Sequence, residues 1–347
     1  MNFINAEQAR NAHHVDGTGI IVAVLDSGCR GTHEAFQSNH GSRVLPGKNF
    51  TAVGQDTDVS DATGHGTAVS AAIAGRKDSG PIIAPGANIL PLKITHDTPD
   101  ADPSLVLKAL SWLKDDADNF RADVVCLAFS DDGNYTVVPD LNAPGNLDKK
   151  KISDKIVELR AAGIPTVVAA GNLYSCSQPS APGMGFPAIM PECISVGAVF
   201  HDHTIIDKIY DEYCNAKVFQ SRAGRIAPFS QRFPETNGSC FTRLFAPGAP
   251  IVSAARSSDF AMAPRDGTSI AAPFVAGVIA LLQEKYRKIT QTPGNPQGNM
   301  PTCEQLERWL RTGAIQKFDL DEQLDSVKHT GESFNLVDAL GALNKVP

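Results

Sequence analysis

The sequence, 347 residues long, predicts an α/β fold of three layers: a mainly parallel central sheet covered by helices on both faces. Three observations lead there. Short continuous apolar runs rich in β-branched residues recur along the chain, which is what strands buried on both faces require. Segments of helical periodicity fall between them, and strands alternating with helices build a parallel sheet with helices packed on each side. Polar residues able to do chemistry, Asp26 and Asn172, stand where such runs end, and open α/β sheets place their sites at the C-terminal ends of strands.

The first strand is read at Gly19–Leu25 and ends at Asp26-Ser27-Gly28. Taken alone, Asp26 is either a solvated turn carboxylate or a site residue. From Asp61 to Gly75 two glycines flank His65, and the small-residue run after it reads as a helix packed closely on a sheet. A lone histidine is more often structural, but the glycines leave this imidazole unobstructed, and histidine suits proton transfer near neutral pH. Asn88–Ile94 is the second strand, Ser104–Asp118 an amphipathic helix bearing Leu105, Leu107, Leu110, Trp112 and Leu113, and Asp123–Phe129 the third strand. Helix Ile152–Ala162 leads through Gly163 into strand Ile164–Ala170, which ends in Gly171-Asn172. An amide at that edge is a neutral donor that can point at a developing oxyanion, or else a turn residue after glycine. Strands follow at Glu192–Val199, Arg243–Ala246 and Ile251–Ala255.

Next comes Asp266-Gly267-Thr268-Ser269-Ile270-Ala271-Ala272-Pro273, continued by an apolar run from Phe274 to Leu282 that reads as a buried helix. The stretch presents the Ser269 hydroxyl at a helix N-terminus, where unpaired N–H groups favour negative charge. Pro273 is expected within the first turn, where its missing N–H costs nothing. A helix at Cys303–Arg311 and a closing segment at Phe334–Leu343 complete the chain. Residues 201–226, charged and without clean periodicity, and 291–301, rich in Pro, Gly, Asn and Gln, are expected on the surface. The whole chain, 1–347, is read as one domain.

Composition narrows the function classes. The net charge of −7 and the pI near 5.7 argue against a nucleic-acid partner, which would need a concentrated basic face. No apolar run reaches the roughly 18 residues of a membrane span. Residues 1–5 lack a basic stretch leading into an apolar one, and the seven cysteines lack C-x-x-C spacing. The reading favours a cytoplasmic, reducing compartment. Its alternative is a secreted mature domain in which Cys176 pairs with Cys193.

Asp26, His65, Asn172 and Ser269 then stand in one pattern: D-S-G at Asp26, G-H-G-T at Gly64 to Thr67, A-A-G-N at Ala169 to Asn172, and G-T-S-x-A-x-P at Gly267 to Pro273. With these four motifs in this order, the chain resembles the subtilisin-like serine proteases, the subtilase family. Gly185-Phe186-Pro187-Ala188 and Phe245-Ala246-Pro247-Gly248 are further matches, so the likeness runs from about Asp16 to about Leu343.

The resemblance implies a subtilisin-like three-layer fold and a serine endopeptidase acting through an acyl-enzyme. It implies that Ser269 is the nucleophile, His65 the general base and acid, Asp26 the residue orienting the imidazole, and Asn172 an oxyanion donor. By the same likeness Ala128-Phe129-Ser130 pairs with substrate backbone, and Ala169-Ala170-Gly171 with Gly185 completes the first specificity pocket. That pocket is expected to be uncharged, roomy and mostly apolar, favouring large uncharged P1 residues, with rim carboxylates Asp131 and Asp132 as a rival feature selecting Lys or Arg. The partner is a peptide or protein substrate, met by a monomeric catalytic domain without nucleic acid or membrane. No cofactor is expected: the stretch Arg76-Lys77-Asp78-Ser79-Gly80-Pro81 lacks the oxygen ligands that calcium needs, and His201-Asp202-His203 with Cys214 matches no zinc spacing. Two alternatives stand beside the endopeptidase: a peptide ligase or macrocyclase that resolves the acyl-enzyme with an amine, and a non-catalytic binding domain on the same fold.

Overall fold

The computed structural model describes residues 3–39, 41–76, 80–96, 102–115, 122–176, 180–202, 205–209, 217–235 and 241–347. The strands of the main sheet are β1 Ile21–Asp26, β2 Lys48–Asn49, β3 Asn88–Lys93, β4 Val124–Leu127, β5 Thr166–Ala169, β6 Ile194–Phe200, β7 Leu244–Ala249, β8 Ile315–Phe318 and β9 Ser333–Leu336. Among the described residues they lie in the order β8-β9-β7-β6-β5-β4-β1-β3-β2, with every neighbouring pair parallel except β8 and β9. The helices are α1 Ala6–His13, α2 His65–Ala74, α3 Pro103–Asp115, α4 Leu147–Ala161, α5 Thr268–Thr290, α6 Cys303–Gly313 and α7 Ala339–Leu343.

Alternation along β1 shows why the sheet has two covered faces. Val22 and Val24 pack with α2 and α5, whereas Ala23 and Leu25 pack with α3 and α4. Both faces are apolar, so a strand in the middle of the sheet reads as an unbroken apolar run. Helix α5 is buried at every residue from Thr268 to Glu284 and lies against β4, β5, β6 and β7. Its stretch from Ile270 to Leu282 is apolar on every side, which suits a helix only in such a central position.

Several boundaries differ from the sequence reading. Helix α4 starts at Leu147, five residues ahead of Ile152, because its polar first turn is solvated and carries no apolar periodicity. Ile251–Ala254 is a strand but leaves the main sheet, pairing antiparallel with Met262–Arg265. Pro273 is the sixth residue of α5 and not in its first turn, so the amide that would donate to the Ser269 carbonyl is missing. Within 201–226 an antiparallel ribbon pairs Ile205–Ile209 with Lys217–Gln220, and Val218, Ser221 and Ile226 are buried, so this segment is only in part a surface loop.

Cysteines 29, 126, 193 and 303 are free and buried, and Cys176 is disulfide-bonded. The pairing of Cys176 with Cys193 is therefore overturned: Cys193 lies in the core beneath α4 and β5, and burial pushes its thiol pKa far up. Among the described residues no helix is long and apolar enough to cross a membrane.

Five ionisable side chains are buried together: Arg225, Arg232, Asp319, Asp325 and His329. Arg232 Nη1 donates to Asp319 Oδ1 at 3.0 Å, Arg225 donates to Asp325, and His329 Nδ1 donates to Asp319. Against the upward push of burial, Arg232 and His329 hold the Asp319 carboxyl well below the usual range. The Arg232 guanidinium also stacks 3.7 Å from the centre of the Tyr174 ring, whose hydroxyl donates to Lys328 O at 2.9 Å.

Candidate active site

Asp26, the last residue of β1, His65, the first of α2, and Ser269, the second of α5, converge at the C-terminal ends of the parallel strands. The Nδ1–H of His65 donates to the Asp26 carboxylate, with both oxygens 2.9 Å away, which fixes the tautomer and leaves Nε2 as an acceptor. The Ser269 hydroxyl donates to that Nε2 at 2.9 Å. Asp26 is buried, while the His65 side chain is 33 % exposed on its outer side. Burial alone would lower the His65 pKa, but the charge of Asp26 and its hydrogen bond outweigh burial and raise it.

The local sequence builds this geometry. Gly64 caps α2 at φ 87° and lets the chain turn directly into His65. A Cβ on Gly66 would lie 2.1 Å from Gly28 O, so only glycine lets α2 approach the end of β1 this closely. Below them Asp61 gathers the loop: Oδ1 accepts from Gly64 N at 2.7 Å and Ser27 Oγ at 2.7 Å, and Oδ2 from Thr67 N at 2.8 Å and Thr67 Oγ1 at 2.6 Å. Sequence reasoning quoted Asp61 without giving it a role, although its four-residue spacing ahead of His65 was the available signal.

Asn172 follows β5, and its Oδ1 accepts from Thr268 N at 2.9 Å and Thr268 Oγ1 at 2.9 Å. With the carbonyl end so engaged, the amide's Nδ2 faces Ser269. A Cβ on Gly267 would lie 2.9 Å from Ser269 Oγ, 3.5 Å from Asn172 Nδ2 and 3.7 Å from Ser269 N. That empty point is bordered by the hydroxyl and two N–H groups. Gly267 keeps it open, and its φ of 144° is one that a larger residue rarely adopts.

Beside Asn172 lie the expected pocket residues. Gly185 N donates to Ala170 O at 2.9 Å, closing one wall, while Ala169 and Ala128 are buried at or beside strand ends and Phe129 is half-buried. Ser130 enters the space between the walls: a Cβ on Gly185 would meet Ser130 Cβ at 2.8 Å, and one on Gly171 would meet Ser130 Oγ at 3.2 Å. Buried Gln231 backs the Gly171 wall, its Nε2 donating to Gly133 O and Asn134 Oδ1 at 2.9 Å each while its Oε1 has no partner. The slot is thus narrower and more polar than the sequence reading expected. Asp131 does not reach the rim as a free charge, since Oδ2 accepts from Lys149 Nζ at 2.6 Å and Oδ1 from Phe186 N at 2.8 Å.

Among the described residues no group of His, Cys, Asp and Glu could hold a metal ion. Residues 77–79, His203 and Cys214, on which the calcium and transition-metal readings turn, lie outside the described residues.

Comparison with known proteins places the chain among serine proteases of one family. The major intracellular serine protease of Bacillus subtilis (strain 168) is 27% identical over 277 residues, which is 78% of this chain and 70% of that protein. The intracellular serine protease of Paenibacillus polymyxa is 26% identical over 272 residues, 77% of this chain and 68% of its own length. Subtilisin E of Bacillus subtilis (strain 168) is 26% identical over 272 residues, 78% of this chain but 57% of that protein. A crystal structure of a cold adapted subtilisin-like serine proteinase matches with a TM-score of 0.63 at 24% identity, covering 94% of this chain and 90% of the other, which speaks for the fold. The sequence profile of the subtilase family matches residues 17–325, and the chain belongs to the subtilase family.

Proposed function

We propose that this subtilase is a serine endopeptidase in which Ser269 attacks the scissile carbonyl. His65 takes the hydroxyl proton through Nε2 and returns it to the leaving amine. Asp26 holds the imidazole in the tautomer with Nδ1 protonated and stabilises the imidazolium while it exists. Asn172 Nδ2 and the Ser269 N–H bind the oxyanion at the point that Gly267 leaves open. The acyl-enzyme is then released by water. The substrate is a peptide or protein whose backbone extends along Ala128-Phe129-Ser130, with its P1 side chain between Ser130, Gly171 and Gly185.

The observation that carries this reading is the unbroken hydrogen-bond path from Asp26 through His65 to Ser269. A binding domain would have no use for a nucleophile poised on a base. The ligase alternative asks for a cover over the acyl-enzyme, and the described part of 201–226 packs instead against residues 324–326, where Phe219 N donates to Leu324 O at 2.9 Å. The experiment is fluorophosphonate labelling and peptide hydrolysis by wild type, Ser269→Ala, His65→Ala and the double variant, with product masses recorded in the presence of added amine. Loss of labelling in each variant, with a double variant scarcely worse than either single one, is expected of groups that work as a unit. Additive losses would refute the shared role, and products joined to the amine in preference to water would favour the ligase.

A further inference from the structure

On the His65 side of Ser269 the surface carries charges that the chemistry just described does not use. Arg265 ends the Met262–Arg265 strand four residues ahead of Ser269, and Arg256 lies two residues beyond its partner strand Ile251–Ala254. Both reach Gly64, the residue before His65: a Cβ there would lie 3.1 Å from Arg265 Nη2 and 3.2 Å from Arg256 Cγ. Arg265 is near enough to His65 for its charge to oppose protonation of the ring.

Neither guanidinium has a carboxylate partner among the described residues. Asp259, in the turn between the two strands, is taken by Arg30 Nε at 2.8 Å and Thr32 Oγ1 at 2.7 Å. Asp61 is occupied by the loop ahead of His65. Arg265 Nε is buried and unpaired. Two cations on the same side of Gly64, with no carboxylate partner among the described residues, would be relieved by an anion drawn from outside. Their position says which part of a substrate supplies it. His65 must hand its proton to the departing nitrogen, so the chain on the C-terminal side of the scissile bond leaves past His65, while the acyl half lies toward Gly171 and Ser130.

We infer that Arg265, with Arg256, forms a carboxylate-binding subsite on the leaving-group side, selecting substrates with Asp or Glu at the first or second position after the scissile bond. The inference rests on the endopeptidase reading. A free C-terminal carboxylate two residues beyond the bond offers the same chemistry, so the test separates the two sources. Internally quenched peptides identical up to P1 would carry Glu, Gln or Lys at P1′ and P2′ with amidated ends. A further pair would carry Gln there, with the chain ending at P2′ as a free acid or as an amide.

The expected order of kcat/KM is Glu above Gln above Lys, with Glu favoured over Gln about fivefold at low salt and less at high salt, as a partly exposed ion pair allows. Arg265→Gln should bring the Glu-to-Gln ratio close to one, and Arg256→Gln should lower it part of the way. A free-acid preference exceeding the Glu preference would assign the site to chain ends and overturn the side-chain form. Equal rates for Glu and Gln, or a Glu preference that survives both substitutions, would overturn the subsite altogether. If no peptide is cut, the endopeptidase reading fails first, and the Glu and Gln peptides are then compared by their binding to Ser269→Ala, where the same ratios decide.

Discussion

Gly267→Ala is the sharpest probe of the oxyanion geometry, because the new methyl carbon would crowd the space between Ser269 Oγ and the two N–H donors where the reacting oxygen is expected. It would stand 2.9 Å from Ser269 Oγ, 3.5 Å from Asn172 Nδ2 and 3.7 Å from Ser269 N. Removing one oxyanion donor costs about a hundredfold to a thousandfold in kcat, a range measured in a subtilisin. A methyl group that keeps the oxygen from both donors at once should cost more, roughly a thousandfold or beyond in kcat/KM. Asn172→Ala removes one donor and leaves the space empty, so its loss should be the smaller of the two. The alanine must also adopt φ 144°, at a strain of about 1–3 kcal/mol, so the melting temperature should fall by a few degrees while the protein stays folded. The assay is steady-state hydrolysis of a peptide amide together with circular dichroism melting of the same preparation. A folded Gly267→Ala enzyme within tenfold of wild type would refute the placement of the oxyanion there.

The pH dependence follows from His65, which must be neutral to accept the Ser269 proton. Asp26 raises its pKa against the effect of burial, so kcat/KM should be lost as pH falls through a value above the ordinary 6.5, and Arg265→Gln should move that limb further up. The ion pair with Asp26 contributes to stability in the opposite sense, fully present below about 6.5 and lost as pH rises through the folded-state value; a pH series of melting curves for wild type and His65→Gln checks the sign. Ser130→Gly should open the slot between Gly171 and Gly185, raising kcat/KM for Phe at P1 relative to Ala at P1, and an unchanged ratio would show that Ser130 does not set its size. Asp61→Asn should lower kcat and broaden its pH limb while leaving fluorophosphonate labelling detectable, since the loop ahead of His65 loses charge-assisted bonds and not the triad itself. With no calcium-ligand loop expected after Gly75, a chelator should leave the melting temperature nearly unchanged, and a large drop would reveal a bound ion.

The parts of this molecule that were legible in sequence are those where backbone and chemistry impose the same residue. The strands ending at Asp26 and Asn172 announced themselves because a doubly covered strand must be apolar throughout, and His65 and Ser269 because glycines were needed beside them. The size of the pocket is not legible in sequence for a physical reason. Ser130 is a small residue, and small residues in a list suggest space, but whether a side chain enters a slot or turns from it depends on the register of the wall that carries it. Gln231 was invisible for a similar reason: it comes from a segment sixty residues away from the wall it backs, and nothing local marks it as part of the site. The Arg256 and Arg265 pair depends on a two-stranded ribbon that leaves the main sheet, whereas the apolar run at Ile251 reads like any other core strand. Pro273 was placed a turn too early because the helix begins at Thr268 and not closer to the proline.

The buried group of Arg225, Arg232, Asp319, Asp325 and His329 acquires a different meaning in a protease, to which any exposed segment of a neighbouring copy is a potential substrate. Leu320 and Phe318 are exposed beside it, at 50% and 63%, on a segment that otherwise offers itself to a passing active site. To be cut, such a segment must first lift free for about ten residues, long enough to lie extended along another molecule's cleft. Lifting it would strip Asp319 and Asp325 from their arginines, and a charge left alone in a dry interior costs about 3–5 kcal/mol. The excursion is therefore rare and all-or-none, not a gradual fraying. A cluster that adds little net stability can still set how long each molecule survives among its neighbours.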